Sequence, residues 1–211
     1  MTVPCTFSVL VVTHGDNGWR ELAASRAVPS AEAQTPDDLV VFHHPSMTLA
    51  EARNAAARRA TGDWLVYLDG DDELAPGYLD ALRPHAAERI NHHIPWLLAP
   101  AMREIHEDGR TVEMGLPNWG RWPDANVCCI GTAIPAYLFA SLGGFRELPS
   151  LEDYCLALRA CKAGAAIVGV SRAIYVAHRR FHSRNSDQSV YHRLREEHAD
   201  VWNQPRQTLA Y

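Results

Sequence analysis

The sequence lacks any apolar run that approaches the ~20 residues needed to cross a lipid bilayer. Residues 1–16 also lack the basic segment and long apolar stretch of a secretory signal peptide, because their apolar run is short and β-branched. These absences predict a cytoplasmic protein without a membrane span. The start of the chain is instead predicted to form a β-strand.

Cysteine and positive charge are also scarce. The five cysteines have no paired spacing, which argues against a disulfide framework and a zinc ribbon. Four of them lie in apolar contexts and are interpreted as buried small hydrophobic residues: Cys128, Cys129, Cys155 and Cys161. A net charge of -5 gives no general case for nucleic-acid binding. Residues 172–206 hold seven arginines against four acidic residues, which suits either a phosphate-bearing partner or a solvated helix face.

The sequence does contain enough apolar material for one core. With 211 residues, 47% of them hydrophobic and 21% charged, it predicts one domain with a small appendage. We assign the domain to residues 1–185 and a helical tail to residues 186–211.

Strands and helices alternate up to residue 90. Apolar segments predict strands at 7–13, 38–44 and 63–68. Helices are predicted around 19–27, at 46–62 and at 76–90. The second of these begins at a capping-box pair, Thr48 and Glu51, and ends at Gly62. The alternation predicts an α/β fold with a helix-covered parallel sheet, whose ligands bind beyond the carboxyl ends of the strands.

The second half is less regular. Residues 95–105 and 110–114 are predicted to form a hairpin. Further strand segments are predicted at 127–133, 165–170 and 173–181. Helices are predicted at 135–145 and 151–165, with a polar, peripheral one at 188–202. Residues 115–126 have no regular period and are interpreted as a loop.

The segment WLVYLDGDDEL, residues 64–74, places four acidic residues directly after an apolar strand. Carboxylates there are costly unless they are solvated, hydrogen-bonded or bound to a cation. Aspartates suit hard ions such as Mg²⁺ or Mn²⁺, which bridge diphosphates. We favour a metal or nucleotide site for Asp69 and Asp71, whereas Asp72 and Glu73 are predicted to form the turn and the N-cap of a helix.

A second acidic pair, Glu152 and Asp153, opens the helix predicted at 151–165. Taken alone, the pair is explained by negative charge at the positive end of the helix dipole. The other motifs along the chain favour a functional role for the pair. They are the acidic turn, then Gly131, Gly143, Gly144 and Phe145, then His178 and His182.

Four elements in this order resemble the family 2 glycosyltransferases of the GT-A fold, over roughly residues 1–185. LAEARNAAARRATGDWLVYLDGDDELAPGYLDAL, residues 49–82, is similar to the family's ARN helix and DxD turn. SLGGFRE resembles the Gly-Gly-Phe-Asp-Glu element, with Arg146 in place of the aspartate. LEDYCLALRACKAG resembles the Glu-Asp helix, and RRFHSRNSDQS the later His/Ser segment. The resemblance implies a Rossmann-like mixed sheet flanked by helices, with a nucleotide-binding half at about 1–90 and an acceptor half at about 91–185.

On the matched positions the resemblance implies a site for a nucleoside-diphosphate sugar, with a UDP-sugar as the first expectation. Asp69 would contact the ribose, or the metal through water, and Asp71 would bind Mn²⁺ or Mg²⁺. The remaining donor-binding positions are Arg53, Asn54, Gly70, Thr13 and His14, and the last two would lie near the nucleobase of the donor.

The resemblance also implies a metal-dependent, inverting hexosyltransferase that adds one sugar per encounter. Asp153 would be the general base for the acceptor hydroxyl, and Glu152 would contact the acceptor or support the base. His182 matches the family's late metal-binding histidine, with His178 as the second choice. A histidine on a strand face is the structural alternative for either.

The acceptor side is carried by fewer residues. Trp119 and Trp122 suit stacking on a sugar or base, or the anchoring of a loop, and Gly131 is placed with them. A glycan or small-molecule acceptor is favoured over a protein side chain or modified nucleic acid. The turn FHHPSM lacks the family's uracil-reading acid, which leaves the donor base open, with His43 or His44 as stand-ins.

Two alternatives stand beside this interpretation. One is a catalytically degenerate GT-A protein that binds a sugar nucleotide or a partner, and the other is a nucleotidyltransferase. The intact Asp71 and Asp153 argue against degeneracy, whereas the missing uracil-reading acid argues for it. A polymerase palm also carries a Gly-Asp-Asp turn, but Pro76 opens a helix here and the chain is too short.

Overall fold

The computed structural model of the protein describes residues 5–89, 94–116, 126, 128–179, 188–202 and 208–210. Three parallel strands pair in the order β2-β1-β3: β1 (Phe7–His14), β2 (Asp38–His44) and β3 (Trp64–Asp69). β1 and β3 are almost entirely buried, which accounts for their continuous apolar runs. The strands predicted for this part are confirmed to within one residue at each end.

Helices connect these strands. α1 (Asn17–Ser25) and α2 (Ala27–Glu32) follow β1, where a single helix was expected, and α3 (Leu49–Ala57) joins β2 to β3. The predicted capping box is confirmed, because the Thr48 hydroxyl accepts from the Glu51 N–H at 3.2 Å and the Glu51 carboxylate accepts from the Thr48 N–H at 2.9 Å. α3 ends before Gly62, in turns.

The second half of the chain builds another mixed sheet. Its order is β4-β8-β5-β6, with β9 also paired to β8: β4 (Glu73–Leu74), β5 (Trp96–His106), β6 (Thr111–Gly115), β8 (Ala166–Arg179) and β9 (Thr208–Ala210). β5 and β6 form the predicted hairpin. The two strand segments predicted after residue 165 are one long strand, β8. A short strand, β7 (Ile134–Pro135), pairs antiparallel with β3 and makes the first sheet mixed as well.

Three further helices lie within the predicted ranges: α4 (Tyr78–Arg89), α5 (Ala136–Ser141) and α6 (Glu152–Lys162). The single helix predicted at 188–202 is two helices, α7 (Gln188–Glu197) and α8 (Ala199–Trp202). The C-terminal helices are not peripheral, however. Val190, Leu194 and Val201 are buried within the hydrophobic core. The division of the chain at residue 185 stays a prediction.

The strand predicted at 127–133 is wrong over its described part, residues 128–133. Only Ala133 pairs there, in an isolated bridge to Leu98. The chain turns instead, with the Thr132 N–H bonded to the Cys129 carbonyl at 2.9 Å. The run is apolar because it is buried, and its backbone geometry is that of a turn.

All five cysteines are free thiols, and Cys128, Cys155 and Cys161 are buried as predicted, while Cys129 is half-buried. Within the described part of the chain, no helix has the length and apolar character needed to cross a membrane.

Candidate active site

The acidic turn lies at the carboxyl edge of the first sheet, as its position after β3 predicts. Asp69 ends β3, and Gly70 and Asp71 follow in the turn. A Cβ at Gly70 would come within 2.4 Å of Thr13 Cγ2, so the turn packs directly on the end of β1. The backbone carbonyl of Asp71 accepts a hydrogen bond from Arg26 at 2.9 Å. Two neighbouring elements therefore fix the turn.

Arg53 joins this turn to the start of α6. The residue is 1% exposed, its Nη2 lies 2.6 Å from Asp69 Oδ1, and its Nη1 contacts Glu152 Oε1. Burial alone lowers the pKa of Arg53, but the two carboxylates outweigh burial and the pKa is raised. Two acidic motifs that are distant in sequence are thus held by one buried cation. Arg53 shapes the site through these carboxylates.

The neighbouring Asn54 holds the Gly-Gly-Phe segment. Its Nδ2 donates to the Phe145 carbonyl and its Oδ1 accepts from the Phe145 N–H, each at 2.9 Å. Gly144 has φ +75°, and a Cβ there would lie 2.3 Å from Asn54 Oδ1, so this position requires glycine. The Phe145 ring lies 5.3 Å from the guanidinium carbon of Arg53. Asn54 therefore holds the Gly-Gly-Phe segment, residues 143–145, in the position that packs against Arg53.

Glu152 and Asp153 begin α6 directly after Leu151, whose φ of 62° is rare for a residue other than glycine. Asp153 accepts hydrogen bonds from Asn126 Nδ2 at 3.2 Å and from the Tyr154 N–H at 2.7 Å. Burial, and next the charge of Glu152, raise the pKa of Asp153 to about 7 despite these bonds. The carboxyl can therefore exchange a proton near neutral pH, as a general base must.

The part of the site that is predicted to bind the nucleobase is rich in histidine. Thr13 and His14 end β1 beside His43 and His44 of β2, in register. Thr13 is buried, and its Oγ1 lies 2.9 Å from His43 Nδ1. His44 Nδ1 accepts from two backbone N–H groups of the following turn, at 3.1 and 3.3 Å. In such turns the acceptor is usually an aspartate or asparagine oxygen, and here the ring nitrogen of His44 has that role.

Three predicted site residues lie outside the described residues: Trp119, Trp122 and His182. Gly131 is described, and its carbonyl accepts from the Tyr78 hydroxyl at 2.6 Å. A Cβ at Gly131 would come within 2.3 Å of the Tyr175 ring. His178 lies on β8, with its Nε2 3.4 Å from Glu73 Oε2.

The helix N-cap predicted at Asp72 or Glu73 is wrong. β4 intervenes, and α4 begins at Tyr78, whose N–H is bonded to Gln34 Oε1 at 2.8 Å. Asp72 is 9% exposed and accepts from the Tyr175 hydroxyl and from a backbone N–H of β8, each at 2.8 Å. Sequence reasoning missed this contact. The only signal for it is Tyr175 within an apolar strand, because a buried tyrosine hydroxyl needs a partner.

Over the described residues, no group of three His, Cys, Asp or Glu side chains is arranged to hold a metal ion. Asp69 and Asp71 still fit a cation of the Mg²⁺ type, which proteins commonly bind through one or two carboxylates together with substrate phosphates and water. Burial, followed by repulsion from Asp69 and Asp71, raises the pKa of Asp72 to about 8. The raised pKa of Asp72 reflects the negative charge of Asp69 and Asp71 beside it, which a bound cation would offset.

Residues 23–96 match the family model "Glycosyl transferase family 2". An uncharacterised glycosyltransferase of Haemophilus influenzae is 32% identical over 130 residues, which are 57% of this chain and 43% of that protein. The structure of S. aureus TarS 1–349 in complex with UDP-GlcNAc has a TM-score of 0.64 at 18% identity, over 93% of this chain and 66% of that one. GalNAc-T7 with UDP, GalNAc and Mn²⁺ has a TM-score of 0.56 at 17% identity, over 93% of this chain and 50% of that one.

The fold is therefore GT-A, and the resemblance to family 2 glycosyltransferases is confirmed. The chain spans less than half of the Haemophilus protein. The segment that matches the family model contains four of the predicted donor-binding residues, Arg53, Asn54, Asp69 and Asp71. Glu152 and Asp153 lie beyond it.

Proposed function

We propose that the protein is a metal-dependent, inverting glycosyltransferase that moves one sugar per encounter from a nucleoside-diphosphate sugar to an acceptor hydroxyl. The observation that carries this proposal is the buried Arg53, whose guanidinium contacts Asp69 of the acidic turn and Glu152 at the start of α6. A donor-binding turn and a helix with a candidate base are thereby adjacent. Such adjacency is what a displacement at a single carbon requires.

Asp153 is the proposed base. Its raised pKa, about 7, lets it accept the proton of an acceptor hydroxyl near neutral pH. As that proton moves to Asp153, the acceptor oxygen forms a bond to the anomeric carbon. The bond from that carbon to the diphosphate breaks, and its electron pair leaves with the diphosphate. Attack opposite the leaving group inverts the configuration. Glu152 is assigned to supporting the base, since Arg53 fixes its carboxylate.

Asp69 and Asp71 are the proposed holders of Mn²⁺ or Mg²⁺, with His182 as the third ligand and His178 as the second choice. When bound, such a cation supplies positive charge that stabilises the departing diphosphate. The report of Mn²⁺ with GalNAc-T7, a protein of the same fold, supports this assignment. About a third of the Asp69 side chain is exposed, so its carboxylate is accessible to the donor while it is also paired with the buried Arg53.

A UDP-sugar is the first proposed donor, and a hexose the first proposed sugar. UDP-GlcNAc is the ligand of TarS, and UDP is present with GalNAc-T7. Thr13 and His14 are assigned to the base-binding end. Gly70 allows the turn to approach β1.

For the acceptor we favour a glycan or small molecule. Trp119 and Trp122 are assigned to stacking on it, and Gly131 to the floor of that half of the site. A nucleic-acid acceptor is less favoured, because the net charge of -5 would repel phosphates.

Ligand-dependent melting tests the donor site directly, since a ligand that binds only the folded protein raises its melting temperature. The protein is melted with UDP, GDP, dTDP and CDP, each with and without Mn²⁺. We expect one nucleotide, UDP first, to raise the melting temperature only when Mn²⁺ is present. The absence of a metal-dependent shift with all four nucleotides would refute the donor site.

Hydrolysis of the matching sugar nucleotide then separates the alternatives. Slow release of the free sugar and the nucleoside diphosphate supports a glycosyltransferase. Binding without hydrolysis or transfer supports a degenerate member of the fold. Release of pyrophosphate from a nucleoside triphosphate and a sugar phosphate identifies a nucleotidyltransferase.

A further inference from the structure

A buried hydroxyl lies between the acidic turn and the second sheet. Tyr175 of β8 is 1% exposed, and its hydroxyl donates to Asp72 Oδ2 at 2.8 Å. The same oxygen accepts from the backbone N–H of Asp69 at 3.4 Å. One side-chain oxygen therefore contacts both ends of the Asp69–Asp72 turn.

The carboxylate of Asp72 completes this connection. Its Oδ1 accepts from the backbone N–H of His178 at 2.8 Å, so Asp72 is bonded to β8 at two points, Tyr175 and His178. Both donors are uncharged. Burying a polar carboxyl group costs free energy unless it is hydrogen-bonded, and the two bonds of Asp72 are both made to β8.

The Tyr175 ring is fixed from the other side. Gly131 packs against it so closely that a Cβ would come within 2.3 Å of the ring. The Gly131 carbonyl is in turn bonded to the hydroxyl of Tyr78, a second fully buried tyrosine. Tyr175 thus has little freedom to move, and its hydroxyl is held at a set position under the turn.

We propose that Tyr175, acting with Asp72, is a positioning residue that fixes the acidic turn relative to β8 and thereby sets the affinity of the site for a metal-bound nucleoside diphosphate. The inference rests on the proposed function, because it assumes that Asp69 and Asp71 bind the donor. It assigns no contact between Tyr175 and the donor. Its effect passes through the Asp69 N–H and the Asp72 carboxylate.

Tyr175→Phe tests the proposal by removing one oxygen and keeping the ring. The change leaves the Asp69 N–H and Asp72 Oδ2 without this partner. We expect the dissociation constant for UDP with Mn²⁺ to rise about tenfold, the scale of one lost buried hydrogen bond. In turnover, the donor KM should rise by a similar factor while kcat changes less than about twofold, because ground-state binding is what is lost.

Ser8→Ala is the control. It also removes a fully buried hydroxyl, but that hydroxyl donates to Asp38 near the amino end of β1, at the opposite end of the strand from the acidic turn. Both variants should unfold at lower urea concentrations than the wild type. Only Tyr175→Phe should lose Mn²⁺-dependent UDP affinity. Asp72→Asn, combined with Tyr175→Phe, should cost less affinity than the sum of the two single changes, because both remove the same contact.

The outcomes separate this inference from the proposed function. If the wild type binds no nucleotide with Mn²⁺, the donor site is refuted and the inference with it. If the wild type binds and Tyr175→Phe binds equally well, only the positioning role is refuted. Equal affinity losses in Tyr175→Phe and Ser8→Ala would likewise show that the Tyr175 hydroxyl serves the fold alone.

Discussion

The Arg53 guanidinium and the Asp69 carboxylate lie 2.6 Å apart, although Arg53 is 1% exposed and the Asp69 side chain is 32% exposed. Arg53 is therefore a buried support beneath an accessible carboxylate. Its second contact, to Glu152, extends the same support to the helix that carries the proposed base. Because a buried charge is strongly destabilising when it loses its partner, both sides of the candidate site depend on this residue.

Replacing Arg53 by methionine should destabilise the fold. The substitution keeps an apolar side chain against Phe145 but leaves Asp69 and Glu152 without their shared cation. Removing one partner of a buried ion pair costs about 3 kcal/mol or more. Urea denaturation followed by tryptophan fluorescence measures the change in the free energy of unfolding.

The control is the same substitution at an arginine whose ion pair is partly exposed to solvent. Arg103 pairs with Glu113, and their side chains are 34% and 59% exposed. Exposed pairs contribute about 0–1 kcal/mol, so Arg103→Met should have a small effect. Similar losses for the two variants would show that the Arg53 bridge is no stronger than a surface pair.

Asp153→Asn and Asp71→Ala should separate chemistry from binding. The asparagine keeps the shape of Asp153 but cannot accept a proton, so transfer should fall at least about 100-fold while nucleotide binding is retained. Asp71→Ala should lose both, because the proposed metal ligand is removed. Calorimetric titration with UDP and Mn²⁺, together with an assay of donor turnover, gives both quantities.

A neutral substitution at the surface serves as the control for this pair. Asp200 is half exposed and pairs with Lys162 away from the acidic turn, so Asp200→Asn should alter neither binding nor turnover. Transfer by the Asp153→Asn variant at the wild-type rate would remove Asp153 as the base.

The sequence predicts the first sheet and the position of its acids well, for a physical reason. β1 and β3 are buried, so their apolar runs stand out, and topology then places Asp69 and Asp71 at the carboxyl edge. The same reasoning fails at residues 128–133, which are apolar but turn. Burial sets composition there, while the turn is set by contacts of Gly131 with Tyr78 and Tyr175.

The internal connections of the site are harder to predict, because they join residues far apart in sequence. Arg53 and Glu152 are separated by 99 positions, and Asp72 and Tyr175 by 103. Periodicity and capping rules are local and contain no information on such pairs. The family motif marks Arg53 as important, yet it does not say that the guanidinium is buried between two carboxylates.

The raised pKa of Asp153 predicts a dependence of activity on pH. Below about pH 7 the carboxyl is protonated and cannot act as a base, so kcat/KM should fall about tenfold for each pH unit on the acid side. A pH–rate profile measures this limb. An acid limb centred near pH 4, the ordinary range of aspartate, would contradict the effect of burial.

The raised pKa of Asp153 also affects the stability of the fold. A rise in pH favours activity but lowers the contribution of this group to stability. Between about pH 4 and 7 the folded protein keeps a proton on Asp153 that the unfolded chain releases, so this group makes the fold less stable as the pH rises. Asp153→Asn removes the titration. Relative to the wild type, the variant should therefore be more stable at pH 8 than at pH 5 in urea denaturation. An unchanged difference between the two pH values would contradict the shift.

Two adjacent glycines allow a matched test of whether Asn54 holds the Gly-Gly-Phe segment against Arg53. Gly143 and Gly144 both have φ +75°, but a Cβ would meet nothing within 4 Å at Gly143, whereas at Gly144 it would lie 2.3 Å from Asn54 Oδ1. Gly143→Ala should cost only the left-handed strain, about 1 kcal/mol. Gly144→Ala should cost about 1–3 kcal/mol more, because Asn54 must also release the Phe145 N–H.

The double variant Gly144→Ala/Asn54→Ala identifies the cause of that extra loss. If the clash with Asn54 is responsible, removing the amide makes room for the new methyl group, and the double change costs less than the sum of the single ones. Urea denaturation of the four proteins measures this coupling. Additive losses, or equal losses for Gly143→Ala and Gly144→Ala, would mean that Asn54 does not hold the Gly-Gly-Phe segment against Arg53.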